Sequence, residues 1–404
     1  MIMEIKWVFN NLPKTSNDTL KIMAPKNISK AASFHKSFPQ YTETPLTNLD
    51  NMAKFLGLKS LYVKDESFRF GLNAFKVLGG SFAIGCYIAK QLGKDISELP
   101  YDVLTSKKLL EEFGQTTFFT ATDGNHGRGV AWAANKLNQK SVVFMPKGSS
   151  QTRLENIRKE GAEATIEDLN YDECVRLAVV SSSKVPNSVV IQDTAWEGYE
   201  YIPSWIMQGY GTMAMEANEQ LHADNCKAPT HIFIQAGVGS LAGAVQGYFA
   251  NVYKENPPTV VVVEPNGSDC IFRSAEAKDG EIRIVTGDMP TIMAGLACGE
   301  PNTISWDILK NHSSCFISCP DYISAKGMRL LAAPLKGDST VTSGESGAVT
   351  MGILFEIMKN KDLKDLKEEL KLDENSKVLL FSTEGNTDPD FYRDIVWNGK
   401  CPSF

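Results

Sequence analysis

The sequence of 404 residues lacks any uninterrupted apolar run long enough to cross a membrane, and it has no low-complexity tract. It also lacks an excess of basic residues, because 41 Lys and Arg stand against 48 Asp and Glu and give a formal net charge of -7. A broad face that neutralises phosphate groups, as nucleic-acid binding requires, is therefore not expected. We predict neither a membrane nor a nucleic acid as partner, and a small-molecule ligand is favoured.

Cysteine patterns that indicate a metal site are also missing. The eight cysteines form no CxxC pair and no cluster with histidine, so we expect no metal. The first residues show no charged segment followed by an apolar one, which would indicate secretion. We therefore predict a cytoplasmic protein whose thiols are free, and nothing in the sequence indicates that Cys270 and Cys298 pair.

The chain is too long for one ordinary core, which predicts two or three domains. From about residue 117, short apolar runs rich in β-branched residues alternate with helical patterns, which is typical of βαβ units and a buried parallel sheet. We predict an α/β fold of two three-layer αβα domains with mostly parallel sheets. The predicted strands are 117–120, 141–145, 188–192, 231–235, 259–264, 315–318 and 377–382, and the longest predicted helix lies within 201–221.

The first of four loops that could carry chemistry contains Lys76, between a turn at Gly71 and a predicted helix. Apolar neighbours should partly desolvate this lysine and lower its pKa toward the neutral amine that a Schiff base requires. The alternative is a lysine at a helix start whose apolar stem packs on the protein while its charge reaches solvent.

The second and third loops each follow a predicted strand and precede a helix. In the second, around Asp123 and Asn125, backbone N–H groups suit an anion such as a substrate carboxylate, although Asp123 could equally be a helix cap. In the third, residues 237–241 (Gly-Val-Gly-Ser-Leu) expose N–H groups that can cradle a phosphate without a lysine. A tight βα turn with small residues for helix packing is the alternative.

The fourth loop follows the last predicted strand and contains Ser382 and Thr383. A hydroxyl there could hydrogen-bond an uncharged ring nitrogen, or the segment could be an ordinary polar strand exit. Asp193 also ends a predicted strand. Because ligands bind at the carboxyl ends of strands in open α/β sheets, we expect these side chains to face one cleft.

Taken together and in this order, the four loops resemble those of the tryptophan synthase β-subunit group, the fold type II enzymes that depend on pyridoxal phosphate (PLP). The resemblance implies PLP as cofactor, with Lys76 as the Schiff-base lysine and Asn125 near the 3-hydroxyl of the ring. It places residues 237–241 at the phosphate, and it leaves Ser382 and Thr383 open as ring-nitrogen partner, with Thr383 preferred. The cofactor-binding residues that it implies are Lys76, Asn125, Gly237, Val238, Gly239, Ser240, Leu241, Glu345, Ser382 and Thr383.

One departure narrows the resemblance. Serine dehydratases and racemases of this group have a serine where this chain has Asp123. Asp123 in Thr-Asp-Gly-Asn-His-Gly-Arg-Gly and Asp193 in Gln-Asp-Thr-Ala-Trp-Glu-Gly-Tyr together resemble the diaminopropionate ammonia-lyase family. The implied reaction is α,β-elimination of ammonia from 2,3-diaminopropionate, of both D and L form, to pyruvate. Lys76 then removes the α-proton of the L-isomer, Asp123 that of the D-isomer, and Asp193 binds the extra ammonium group.

The sequence also favours a division into two domains, and it leaves two alternative functions open. We predict a large PLP-binding domain of residues 1–85 and 205–404 and a small domain of residues 86–204, and relatives imply a homodimer. A serine or threonine dehydratase on the same fold is the first alternative. The second is a binding protein that uses residues 237–241 for a phosphorylated ligand and has no catalytic activity.

Overall fold

The strands of the computed structural model, which describes residues 4–16 and 18–402, form two mostly parallel sheets. The larger has seven strands in the order β1-β10-β9-β8-β11-β3-β2, with β1 and β2 antiparallel at its edges. The smaller has four parallel strands in the order β6-β5-β4-β7. The strands are β1 Lys6–Phe9, β2 Leu46–Asn48, β3 Ser60–Asp65, β4 Thr117–Ala121, β5 Lys140–Met145, β6 Glu163–Ile166, β7 Ser188–Val190, β8 His231–Gln235, β9 Thr259–Pro265, β10 Cys315–Cys319 and β11 Lys377–Ser382.

Helices connect most consecutive strands. The helices are α1 Pro25–Lys36, α2 Asp50–Leu56, α3 Val77–Gln91, α4 Tyr101–Leu104, α5 Lys107–Phe113, α6 Asn125–Lys136, α7 Gln151–Lys159, α8 Tyr171–Ser182, α9 Tyr201–Ala223, α10 Ser240–Val252, α11 Cys270–Glu276, α12 Thr303–His312, α13 Asp321–Ala332, α14 Glu345–Lys359, α15 Lys364–Glu369 and α16 Pro389–Val396. Within the described ranges, none of them combines the length and the apolar character needed to cross a membrane.

Both faces of the large sheet are buried, as its alternating side chains require. In β8, Ile232 and Ile234 enter one apolar core whereas Phe233 enters another on the opposite face. β9 alternates in the same way, with Val260 facing the first core and Val261 the second. Successive residues of a strand point to opposite faces, so helices must cover both. The predicted α/β class with parallel sheets is confirmed.

All seven predicted strands are present, and most of their ends differ from the prediction by one residue at most. β7 ends two residues early, at Val190. The Ile191 backbone N–H still donates to the Phe119 carbonyl oxygen of β4 at 2.8 Å, and beyond it the side chain of Gln192 bonds to β4 in place of the backbone. Gln192 Oε1 accepts hydrogen bonds from Thr120 Oγ1 at 2.9 Å and from the Ala121 backbone N–H at 3.0 Å. The next residue, Asp193, is thereby released from the sheet at its carboxyl end.

The four-stranded sheet lies within residues 117–190, inside the predicted small domain of residues 86–204. The predicted boundaries at 85/86 and 204/205 fall within α3 and α9, and the division stays a prediction. The longest helix, α9, leads from the small sheet back to β8 of the large one, as the sequence predicts.

The start of α3 packs closely between α6 and α9, and two glycines permit this close packing. A Cβ added to Gly129 of α6 would lie 2.7 Å from Val77 Cα, and one added to Gly209 of α9 would lie 2.3 Å from the Leu78 carbonyl oxygen. Both distances are far below contact distance, so only glycine permits this approach. The close packing fixes the backbone next to Lys76 against both neighbouring helices.

Candidate active site

A cavity, which we call the inner cavity, opens where the carboxyl ends of β8 and β11 meet the loops that follow β4 and β7. Parallel strands bring their carboxyl ends to the same edge, which explains why distant segments of the sequence meet here. The sequence-predicted residues that line it are Lys76, Asn125, Asp193, Gly237, Val238, Gly239, Ser240, Leu241 and Thr383.

Lys76 and Asp193 form a buried ion pair in this cavity. Lys76 Nζ lies 3.1 Å from Asp193 Oδ2, and their side chains are 14% and 3% exposed. Two tyrosine hydroxyls also contact the carboxylate: Tyr210 donates to Oδ2 at 3.3 Å and Tyr171 donates to Oδ1 at 3.4 Å. The carboxylate of Asp193 is thus surrounded by donors, which offset the cost of burying its charge.

Burial and the neighbouring charges shift the pKa values of Lys76 and Asp193 in opposite directions. Burial alone lowers the pKa of Lys76, as the sequence predicts, but the carboxylates of Asp193 and Asp123 outweigh it and raise this pKa above its ordinary value. The predicted direction was therefore wrong, because the sequence does not show which charges face the amine. Burial raises the pKa of Asp193, and the Lys76 and His126 charges reverse this and hold it at about 2.

The loop of residues 237–241 follows β8 and opens α10. Gly239 has φ +97°, a left-handed conformation that favours glycine, and it is the residue directly before the helix. The first N–H groups of a helix have no partner within it, so they and the helix dipole suit an anion. A Cβ at Gly237 would lie 3.2 Å from the Gly295 carbonyl oxygen, so a side chain there would crowd the loop.

Asn302 joins this loop to Asp193. Its Nδ2 donates to the Asp193 carbonyl oxygen at 3.0 Å and to Ser240 Oγ at 2.8 Å. Ser240 Oγ itself donates to the same carbonyl oxygen, and the Asn302 backbone N–H donates to the Val238 carbonyl at 2.7 Å. These hydrogen bonds fix the loop of residues 237–241 against the backbone of Asp193.

On the opposite wall, Asn125 at the start of α6 donates through Nδ2 to Glu384 Oε2. Glu384 Oε1 accepts a second bond, at 3.0 Å, from the Ser346 backbone N–H at the start of α14. Thr383 lines the cavity, and its Oγ1 accepts a 2.8 Å bond from Gln235 Nε2. The side chain of Ser382 instead donates to Ser343 Oγ at 2.8 Å and does not line the cavity, so the structure separates the two hydroxyls.

Asp123 and Glu345 line a second, adjoining cavity, which we call the outer chamber. Asp123 Oδ2 is buried without a hydrogen-bond partner among the described residues, and it lies 3.7 Å from Arg153 Nη1. The same oxygen is 3.6 Å from the position of a Cβ at Gly295, a residue of the inner cavity wall. Asp123 therefore stands at the boundary between the two cavities, whereas Glu345 belongs to the outer one.

Several side chains of the site carry no local sequence signal. Tyr171 begins α8 and Tyr210 lies inside α9, positions that are typical of core aromatic residues. Trp196 and Tyr199, which are closer to Asp193 in the sequence, instead stack on each other with ring centroids 4.2 Å apart, outside the cavity. Proximity to Asp193 in the sequence therefore does not place a side chain in the cavity wall.

Comparison with known proteins gives one family. Residues 38–383 match the family described as "Pyridoxal-phosphate dependent enzyme". A protein of Salmonella typhimurium named diaminopropionate ammonia-lyase is 53% identical over 399 residues, which is 98% of each chain. One of the same name from Escherichia coli is 47% identical over 385 residues, or 95% of each chain.

The fold comparison agrees. The crystal structure of the Escherichia coli diaminopropionate ammonia-lyase "in complex with aminoacrylate-PLP azomethine reaction intermediate" superposes with a TM-score of 0.89 at 44% identity, covering 99% of this chain and 98% of that one. The chain is a PLP-dependent enzyme of fold type II. Within that class it belongs to the diaminopropionate ammonia-lyase family.

The residues present fit PLP. The loop before α10 offers backbone donors to a phosphate, and Lys76 reaches the same cavity. Two buried polar atoms in the cavity wall, Gln235 Oε1 and Ser346 Oγ, have no hydrogen-bond partner among the described residues. Buried polar atoms are seldom unpaired, so these are groups that a polar ligand in the cavity can satisfy.

We predict that Glu345 makes the protein less stable as the pH rises toward neutrality. Burial, helped by nearby Glu384 and opposed by Arg153, raises the pKa of Glu345 from 4.5 to about 7. Between these values the folded protein keeps a proton that the unfolded chain releases, so the free energy of unfolding falls as pH rises. In Glu345→Gln the melting temperature should decline less between pH 4.5 and 7.

The exposed carboxylate of Glu374 provides the control, because Glu374→Gln should leave the wild-type pH dependence of the melting temperature unchanged. An identical pH dependence in Glu345→Gln and the wild type contradicts the prediction.

Proposed function

We propose that the protein removes ammonia from both D- and L-2,3-diaminopropionate and yields pyruvate, and that it does so with Lys76, Asp123 and Asp193. The observation that carries the proposal is the placement of two carboxylates near Lys76: Asp193 pairs with it in the inner cavity, and Asp123 stands at the boundary with the outer chamber. A diamino acid carries an ammonium group that serine lacks, and Asp193 complements this extra group, which leaves Asp123 for proton transfer. Bound PLP supplies an electron sink for the α-carbon.

The ion pair supports the role of Asp193 as an ammonium receptor. In the structure its carboxylate accepts a hydrogen bond from the charged amine of Lys76, with Tyr171 and Tyr210 donating to the same group. An ammonium group of the substrate has the same chemistry as that amine. Asp193 can hold the departing amine as an ammonium group, which leaves far more readily than a neutral amine.

Lys76 and Asp123 are proposed as the two bases. Lys76 lies in the inner cavity, whereas Asp123 faces it from the boundary with the outer chamber. Two bases on different sides of one reacting carbon can remove α-protons of opposite configuration. The buried Oδ2 of Asp123, which has no hydrogen-bond partner in the described chain, keeps a lone pair available for a proton.

For the cofactor, we propose that residues 237–241 hold the phosphate, Asn125 the 3-hydroxyl and Thr383 the ring nitrogen. The position of Thr383 on the cavity wall supports its choice over Ser382. Because Gln235 donates to Thr383 Oγ1, the hydroxyl hydrogen of Thr383 remains for another acceptor. We propose that Glu345 borders the cofactor site from the outer chamber, on the far side of the inner cavity wall.

We also propose that the protein is a cytoplasmic homodimer with the domain division given above. All eight cysteines, each within the described ranges, are free thiols, which is the usual state in a reducing compartment. Cys270 Sγ contacts the Cys298 carbonyl oxygen at 3.6 Å as a weak donor and forms no bond to its sulfur.

Incubation of the purified PLP-bound protein with each isomer of diaminopropionate should release pyruvate, measured in a coupled lactate dehydrogenase assay. Lys76→Ala should abolish the signal, because it removes both the cofactor attachment and one base. No pyruvate from either isomer refutes the proposed function. Faster turnover of serine than of diaminopropionate would establish the dehydratase alternative instead.

Asp123→Asn should separate the two isomers. The amide keeps the size of the side chain but cannot accept a proton, so kcat/KM for the D-isomer should fall roughly 100-fold or more. The L-isomer should retain most of its rate because Lys76 is unchanged. Equal losses on both isomers contradict the division of labour between the bases.

The two hydroxyls at the end of β11 form a matched pair for testing the ring-nitrogen contact. Thr383→Val preserves shape and removes one hydrogen bond, so the dissociation constant of PLP should rise roughly two- to tenfold. Ser382→Ala, whose hydroxyl bonds Ser343 away from the cavity, should change it little. Titration of the cofactor-free proteins with PLP, followed by absorbance, measures both, and the reverse order of effects would select Ser382.

A further inference from the structure

Gln235 is a fully buried side chain in the wall of the inner cavity, and the proposed reaction gives it no role of its own. It is the last residue of β8, which lies between β9 and β11 in the large sheet. Its side chain reaches the end of β11, where Phe381 and Thr383 lie. Gln235 is therefore in direct contact with the hydroxyl that is the proposed partner of the ring nitrogen.

The hydrogen bonds of Gln235 show which way its amide faces. Nε2 donates to the Phe381 carbonyl oxygen at 3.1 Å and to Thr383 Oγ1 at 2.8 Å. A carbonyl oxygen can only accept, so the amide nitrogen of Gln235 and not its oxygen must face Phe381. Because an amide nitrogen only donates, Thr383 Oγ1 is the acceptor of the second bond. The hydroxyl hydrogen of Thr383 is left over, and no residue that the structure describes accepts it.

The amide oxygen of Gln235 has no such bonds. Oε1 is buried and lacks a hydrogen-bond partner within the described part of the chain. An unpaired buried acceptor destabilises a protein, and an apolar side chain of the same size would avoid it. The two Nε2 bonds hold the amide in this orientation, so the unpaired oxygen accompanies a fixed direction of the bond to Thr383. It also offers one competing arrangement, in which a protonated ring nitrogen donates to Oε1.

We propose that Gln235 is a positioning residue that makes Thr383 a hydrogen-bond donor to the uncharged ring nitrogen of PLP. A hydroxyl can donate or accept, so Thr383 alone could pair with a neutral or a protonated nitrogen. With Gln235 donating to Oγ1, a protonated nitrogen that donated to the same oxygen would leave the hydroxyl hydrogen without an acceptor. The bond from Gln235 also strengthens the donation by Thr383, because linked hydrogen bonds polarise one another. The proposal rests on the proposed contact between Thr383 and the ring nitrogen.

An analogue of PLP without the ring nitrogen measures the strength of this bond. In 1-deazapyridoxal phosphate a C–H group replaces the nitrogen and accepts no hydrogen bond. The cofactor-free wild type, titrated with each compound and followed by absorbance, should bind PLP roughly two- to tenfold more tightly than the analogue. Thr383→Val should bring this ratio of dissociation constants close to one. Gln235→Met, which keeps the size but removes both polar amide atoms, should lower the ratio roughly twofold or more.

The direction of the bond is measured separately, on the PLP-bound wild type without any substitution. The nitrogen NMR signal of ring-labelled PLP lies at different positions for a neutral and a protonated pyridine ring. We expect the neutral position at neutral pH. A signal at the protonated position overturns the proposal and selects the arrangement in which the nitrogen donates to Gln235 Oε1 or to Thr383. Neither measurement requires pyruvate to form, so a failure of the proposed reaction is recognised independently.

Gln246→Met is the matched control, because Gln246 is a second buried glutamine with an unpaired amide atom. It lies in α10 and lines neither cavity, and its Nε2 has no hydrogen-bond partner among the described residues. The ratio should keep its wild-type value in this variant. An equal fall in Gln235→Met and Gln246→Met would reflect a general loss of packing and overturns the proposal.

The two substitutions at the site separate the proposal from the contact on which it rests. If Thr383→Val leaves the ratio unchanged, the contact of Thr383 with the ring nitrogen fails, and the role of Gln235 fails with it. If Thr383→Val lowers the ratio and Gln235→Met does not, the contact stands and only the role of Gln235 is overturned. If Gln235→Met does not fold, Gln235→Asn decides, because its shorter side chain cannot reach both acceptors, and a wild-type ratio there overturns the proposal.

Discussion

The buried ion pair between Lys76 and Asp193 is the interaction around which the site is built. A charge inside a protein is costly unless a partner and further hydrogen bonds accompany it. Here the partners come from both sheets: Lys76 precedes α3 in the framework of the large sheet, while Asp193 follows β7 of the small one. Tyr171 and Tyr210 complete the shell of donors from α8 and α9. The pair can form only if the carboxyl ends of the two sheets lie next to each other. The same arrangement brings the inner cavity's walls together.

The two cavities differ in how their carboxylates are satisfied, and this difference suits different tasks. Asp193 accepts hydrogen bonds from Lys76, Tyr171 and Tyr210 and is held as an anion, with a pKa of about 2. Asp123 keeps one buried oxygen without a hydrogen-bond partner in the described chain. A carboxylate that is held as an anion can bind a cation, whereas an oxygen without a hydrogen-bond partner has a lone pair that can accept a proton. Glu345, whose pKa burial raises to about 7, is a third type: a carboxyl group that is partly protonated near neutrality.

Much of this architecture could be predicted from the sequence, because its signals are local. Apolar β-branched runs mark the strands, and the loops that follow them mark the cavity edge. Four strands, β1, β2, β3 and β6, were not predicted. In the edge strand β6, Glu163–Ile166, the reason is that alternate residues are polar or half-exposed. The sign of the pKa shift of Lys76 depends on Asp193, 117 residues away, and no local pattern contains it. Ser382 and Thr383 differ by one residue at a strand end, where adjacent side chains point in opposite directions, so only coordinates could separate them.

The glycine contacts at the start of α3 have a consequence for how this enzyme tolerates mutation. Gly129 and Gly209 line neither cavity, yet any side chain at either position collides with the backbone that carries Lys76. A scan of loss-of-function variants would therefore mark both glycines as strongly as residues that touch the substrate. Evolution of a new substrate preference on this scaffold is freer at the walls of the outer chamber than at these two positions, although they lie outside both cavities.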